Sequence, residues 1–240
     1  MPPRTVAGST VNTIGPQTLG GRETLFLIIL AAFVVVPSYF RGLFFPPEQL
    51  IALIALMVVW IAWAYSDYAD RREFRYLGPM DWAAVALTTA YIVSIFVALD
   101  PRAAVQEDLK HLLYLAIFIL VSRLSVNVNA GTWLLRALVL ATFYVSTIGV
   151  LAAGGLFDYK AALMDSRIAS TMQYPNSLAA YLTVGIIVSI SLAVRASERW
   201  ESSLMTGVGA SMLLTFIFTE SRGAWLLFPV AAAALVAAMP

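Results

Sequence analysis

Apolar residues run along this chain in long blocks, each closed by a short break rich in proline, glycine or charge. The first block is Leu25 to Phe45, with Pro37 placed to kink it, since proline removes a backbone donor and clashes with the preceding turn. Pro46-Pro47-Glu48 turns the chain into a second block, Leu50 to Tyr65. The third is Trp82 to Leu99, ended by Asp100-Pro101. Ala103 to His111 then reads as an amphipathic lead-in to a fourth block ending near Ser122. The purely apolar part of that block, Leu112 to Val121, is short for about 30 Å of hydrocarbon. Trp133 to Ala153, Ser177 to Val194, Ser203 to Thr219 and Gly223 to Pro240 complete the series. Blocks of this length without strand-like alternation predict an all-α, polytopic membrane protein with about eight transmembrane helices.

Composition agrees with that pattern. Hydrophobic residues make up 60% of the chain and charged residues 12%, about half the charged fraction of a soluble domain. The chain has no cysteine and a single histidine, His111, so disulfides, thiolate chemistry and His or Cys metal clusters are excluded. No metal or cofactor is expected. Basic residues occur singly and not as a patch, so no nucleic-acid partner is expected; the lipid bilayer is the expected surroundings. Residues 1–22, rich in Pro, Gly and Thr, predict a disordered cytoplasmic tail, with residues 23–240 as the transmembrane domain.

Orientation follows from the placement of Lys and Arg. A cytoplasmic N-terminus puts nine of these fifteen residues inside, among them Arg4, Arg22, Arg71, Arg72 and Arg75. The six outside are Arg41, Arg102, Lys110, Lys160, Arg167 and Arg222. Cytoplasmic loops carry the excess of basic residues, so this orientation is the expected one. Charged residues otherwise sit in loops or at span ends; Arg136, one turn into the fifth span, is expected to snorkel to the surface. Mid-span ionisable groups mark ion and proton paths, and their scarcity argues against a proton-coupled transporter. Gly185, Gly207 and Gly209 are expected at close helix packing.

By this reasoning the chemistry is expected in the polar segment Gly154 to Tyr174 and the helix after it. Pro175 holds Tyr174 extended, and Asn176 or Ser177 is the expected N-cap. Thr219-Glu220-Ser221-Arg222-Gly223-Ala224-Trp225 repeats the arrangement of an arginine beside a helix start. Arg167 could be an idle solvated loop residue, and Arg222 an interfacial anchor paired with Glu220. However, both helices present N-termini, with free amide protons and positive dipole ends, to the same face as the two arginines. Two convergent anion sites suited to a phosphate or diphosphate follow. Tyr159, Tyr174 and Tyr181 could stack on sugar rings or serve as belt aromatics.

The residues RIASTMQYPNSLAAYL, with Arg167 first, and ESRGAWL, with Arg222 lying 55 residues after Arg167, resemble the O-antigen ligase and O-antigen polymerase superfamily of bacterial multi-pass membrane proteins. The resemblance covers Gly154 to Leu227. It implies a transferase at the outer face of the cytoplasmic membrane that takes a glycan from undecaprenyl diphosphate and joins it to a glycan or glycolipid acceptor. Arg167 and Arg222 are then the catalytic arginines that hold the diphosphate, with Tyr174, Asn176 and Ser221 also binding substrate. Family members continue into an outer loop with a histidine that activates the acceptor. His111 lies before both motifs and does not take that role, so the chain is expected to be the front part of a longer protein or to lack this base. A transporter or flippase of lipid-linked glycans, or a non-catalytic membrane subunit, is the alternative.

Overall fold

The computed structural model describes residues 19–43, 45–70 and 78–238. The expected tail up to residue 18 and the basic residues Arg4, Arg71, Arg72 and Arg75 lie outside the described residues. Among the described residues the fold is all-α, with eight helices where eight spans are expected: α1 (Gly21–Tyr39), α2 (Pro46–Ala69), α3 (Pro79–Ser94), α4 (Pro101–Leu124), α5 (Val128–Ala153), α6 (Pro175–Arg195), α7 (Arg199–Phe218) and α8 (Arg222–Ala238). Six of them are long and apolar enough to cross a membrane: α1, α2, α3 with its short 3₁₀ extension to Val97, α5, α6 and α7. The chain has the build of a multi-pass membrane protein.

Prolines set several helix starts. Pro46, Pro79, Pro101 and Pro175 all lie at the first helical position, where a missing N–H costs nothing and a fixed φ is already helical. Asp100 caps α4 by accepting from the amides of Arg102 and Ala103. The separate amphipathic lead-in expected at Ala103 to His111 is simply the first part of α4, which runs unbroken for 24 residues. That length corresponds to roughly 36 Å. The helix therefore carries Glu107, Asp108 and Lys110 within its body, and Asp108 is buried. Charge is thus not confined to span ends.

The helices pack around two apolar clusters. Phe26, Leu30, Leu56, Leu113 and Leu120 join α1, α2 and α4 in the first. Val145, Leu178, Leu182, Ile186, Met212 and Phe216 join α5, α6 and α7 in the second. α1 and α5 link the halves; α3 lies against α4, and of its residues only Thr88 is buried.

Glycine marks the tightest approach. A Cβ on Gly185 would stand 2.3 Å from Thr142 Oγ1 and 2.6 Å from Thr142 Cβ, so the Thr142 side chain of α5 packs directly on the bare backbone of α6. Gly209 plays the same part against Ser189, but Gly207 has nothing within 4 Å and is no packing position.

Polar side chains tie the bundle at both ends. At one, Arg22, within α1, pairs with Asp67 of α2 and with Asp70 just after it, and Ser122 donates to Asp81. At the same end Arg136 pairs with Glu201 of α7 and lies over the Trp133 ring. It is held by a partner carboxylate and does not snorkel freely, because the start of α7 brings Glu201 beside it. At the opposite end the segment between α5 and α6 folds down onto the helix tips.

Candidate functional site

The segment from Gly154 to Tyr174 is more than an extended polar loop. It contains a two-stranded hairpin, β1 (Leu163–Met164) against β2 (Arg167–Ile168), with Met164 opposite Arg167. A 3₁₀ turn over Ser170–Met172 follows. Ile168, Ala169, Ser170 and Thr171 are buried. Their polar groups are satisfied inside the bundle: Ser170 Oγ donates to the Val145 carbonyl at 2.6 Å and Thr171 Oγ1 to the Ser38 carbonyl at 2.7 Å. The amides of Ala169 and Ser170 both reach the Ala162 carbonyl at 2.8 Å. Buried hydroxyls with backbone partners let a loop enter a core without leaving orphan polar groups. Gly149 makes room for it, since a Cβ there would stand 2.7 Å from Ile168 Cγ2. Tyr159 Oη donates to the Tyr39 carbonyl at 2.8 Å. Burial pushes the Tyr159 phenol above its ordinary value, against an opposing pull from the Arg41 guanidinium, so it remains a donor at neutral pH.

This docking fixes Arg167. Its Nε donates to the Thr219 carbonyl at 2.8 Å and its Nη2 to Asn176 Oδ1 at 3.0 Å. Thr219 follows α7 and Asn176 is in the first turn of α6, so one guanidinium ties the hairpin to two helix ends. A guanidinium has five N–H donors, and these bonds use two of them. Arg222 differs. It begins α8, and its side chain makes no hydrogen bond or ion pair among the described residues. The expected pairing with Glu220 is not formed; Glu220 instead takes a left-handed conformation, φ +49°, at the turn from α7 into α8.

The sequence-predicted residues come together in part. Arg167, Asn176, Ser221 and Arg222 all line one open cleft of about 950 Å³, along with Glu220, Thr183 and Trp225. The cleft lies between the N-terminal parts of α6 and α8, which run parallel with α7 returning between them. Ser221 is buried at the α8 start, and its carbonyl accepts the first helical bond from Trp225 N at 3.0 Å. Glu220, considered from the sequence only as a partner for Arg222, is a carboxylate in the cleft lining.

Three expectations need correcting. Neither Asn176 nor Ser177 caps α6: the N-cap is Tyr174, extended at φ −146° and ψ 116°, because Pro175 takes the first helical position. Asn176, one residue further in, is thereby free to bond Arg167 and to donate through Nδ2 to Tyr174 Oη at 3.2 Å. Tyr174 itself does not line this cleft. It lines a neighbouring one with Arg41 and Lys110. Tyr181 lines neither cleft: its hydroxyl is 2.7 Å from Ser38 Oγ inside the bundle.

His111 lines neither cleft. Its ring stacks on Tyr91 with centroids 3.4 Å apart, and Nδ1 lies 2.9 Å from the Glu107 carbonyl. No group of three or more His, Cys, Asp or Glu able to hold a metal occurs among the described residues. Comparison of the chain with family models, curated proteins and solved structures returns no match.

Proposed function

We propose that this protein is a membrane glycosyltransferase of the O-antigen ligase and polymerase type. It transfers a glycan from undecaprenyl diphosphate to a glycan or glycolipid acceptor at the outer face of the bacterial cytoplasmic membrane. One observation carries this reading: Arg167 and Arg222 line one cleft at the N-termini of two parallel helices. The free first-turn amides of α6 and α8 and two forked guanidinium groups favour an anion with several oxygens. Arg167 is pre-oriented by Thr219 and Asn176, whereas Arg222 is unspent and free to close on the ligand. When the glycosidic bond to the carrier breaks, negative charge grows on the departing diphosphate, and fixed donors aimed there lower the barrier. Glu220 lowers the net charge of the cleft and stands where it could accept from a sugar hydroxyl.

The test is transfer of glycan from its undecaprenyl diphosphate carrier to acceptor. Arg222→Ala is expected to lower the rate by about 10²-fold or more. Arg222→Lys is expected to fail nearly as badly, because lysine keeps the charge and loses the fork. Arg195→Ala, at the far end of α6, should leave the rate close to that of the wild type. Full activity of Arg222→Lys would mean that local positive charge alone matters.

The rival reading, a transporter or flippase of the same lipid-linked glycan, has one observation in its favour. Asp108 is buried within α4 and its Oδ1 has no hydrogen-bond partner among the described residues, and buried carboxylates in membrane helices often serve ion paths. Carrier movement without any new glycosidic bond would decide for it.

A further inference from the structure

Beside the arginine cleft lies a second one of about 600 Å³, between the turn after α1, the third turn of α4 and the residues just before α6. Among the described residues its lining holds two cations, Arg41 and Lys110, and no carboxylate. Gln173, Tyr114 and Tyr174 add polar groups. Gly42, Leu43, Gln49, Lys110 and Tyr114 also line a smaller pocket of about 140 Å³, where they meet Phe33, Leu113 and Ile117. The cleft is therefore cationic at its mouth and apolar at depth.

The turn that presents Arg41 is strained. Arg41, Gly42 and Leu43 are all left-handed, with φ of 56°, 64° and 59°, a conformation that costs residues with a Cβ. It is held by Gly42 N to the Pro37 carbonyl at 2.9 Å, by Leu43 N to Phe40 at 3.0 Å, and by Gln49 Nε2 donating to the Leu43 carbonyl at 2.8 Å. Strain retained in this way is a recurrent mark of a functional segment. Arg41 lies over the Phe45 ring, 5.0 Å from its centroid. Lys110 holds Glu107 at 2.6 Å in an i,i+3 pair on the helix surface, an exposed contact that a ligand can replace.

We infer that this second cleft binds the acidic group, phosphate or carboxylate, of an amphiphile whose apolar part enters the pocket between Phe33, Leu113 and Ile117. The site stands independently of the transferase reading, since none of these residues lines the arginine cleft. Two sources share this chemistry: an acidic membrane phospholipid, and a lipid-borne acceptor with a phosphorylated sugar. Tyr174 forms a wall of this cleft, and Asn176 of the other donates to its hydroxyl. An acceptor held here would thus lie next to a donor held there.

The experiment is native mass spectrometry of the protein in a neutral maltoside detergent, with phosphatidic acid, phosphatidylcholine or a lipid bearing a phosphorylated sugar added. One retained adduct of an acidic lipid, and none of phosphatidylcholine, is expected. In the Arg41→Gly/Lys110→Gln double variant its occupancy should fall about tenfold. Glycine suits φ +56° and glutamine suits a helix, so this variant should unfold at a temperature no lower than the wild type does. In Arg167→Ala/Arg222→Ala the adduct should persist, which separates this site from the proposed carrier site. The phosphorylated-sugar lipid displacing phosphatidic acid would identify an acceptor, and the reverse a membrane phospholipid. Undiminished occupancy in a folded Arg41→Gly/Lys110→Gln variant overturns the proposal, as does equal displacement by inorganic phosphate, which would remove the role of the apolar pocket.

Discussion

Arg167 and Arg222 look alike in the sequence and are chemically different in the fold. Arg167 spends two donors on Thr219 and Asn176, so it serves architecture as well as any ligand. Hydrogen bonds from a charged donor contribute about 1.5–3 kcal/mol each, discounted here because the Asn176 bond is exposed. Arg167→Ala is expected to destabilise the protein by about 1–3 kcal/mol and to weaken diphosphate binding. Arg222→Ala should weaken binding while changing stability by less than about 0.5 kcal/mol. Denaturation in detergent beside a binding measurement checks both. Equal stability losses in the two variants would show that Arg222 has a structural bond in solution.

Helices α5, α6 and α7 approach so closely that single methyl groups matter. Gly185→Ala would press a Cβ onto Thr142, and relieving such an overlap costs about 1–3 kcal/mol through parted helices. Gly207→Ala, in the same bundle but facing open space, should instead stabilise α7 by about 0.5–1 kcal/mol, the ordinary gain of alanine over glycine in a helix. Thermal midpoints moving in opposite directions are the expected result. Gly149→Ala is a third case: the clash falls on Ile168 and Ser170, so it should displace the hairpin that carries Arg167 and lower binding as well as stability.

The whole molecule has two chemically distinct ends. Arg22, Asp67, Asp81, Arg136 and Glu201 form ion pairs and hydrogen bonds at one, and the two cationic clefts open at the other. The positive-inside rule leads us to expect the first end on the cytoplasmic side. Single cysteines can test this, since the chain has none. A cysteine at Lys160 should react with an impermeant thiol reagent in intact cells, and one at Glu198 only after permeabilisation. The opposite pattern would invert the topology and put both clefts on the cytoplasmic side.

The sequence by itself determined the number, place and type of the helices. A helix in lipid satisfies its backbone within its own segment, so apolar run length and proline breaks suffice to mark it, and the eight helices among the described residues lie at the eight apolar blocks, with α4 also taking in the stretch read as a separate lead-in. It also singled out Arg167 and Arg222, because an arginine beside a helix start is a local feature. Tertiary structure decided the rest. That Ser170 and Thr171 are buried depends on carbonyls of Val145 and Ser38, 25 and 133 residues away in the chain. That Arg167 is partly spent depends on Thr219, and that Arg136 is paired depends on Glu201, 52 and 65 residues off. Tyr174 was legible as an aromatic near the site, but only the placement of α4 and the turn after α1 puts it against Arg41 and Lys110. No local pattern encodes such meetings, because they arise from how separate helices pack and which loop folds over their ends.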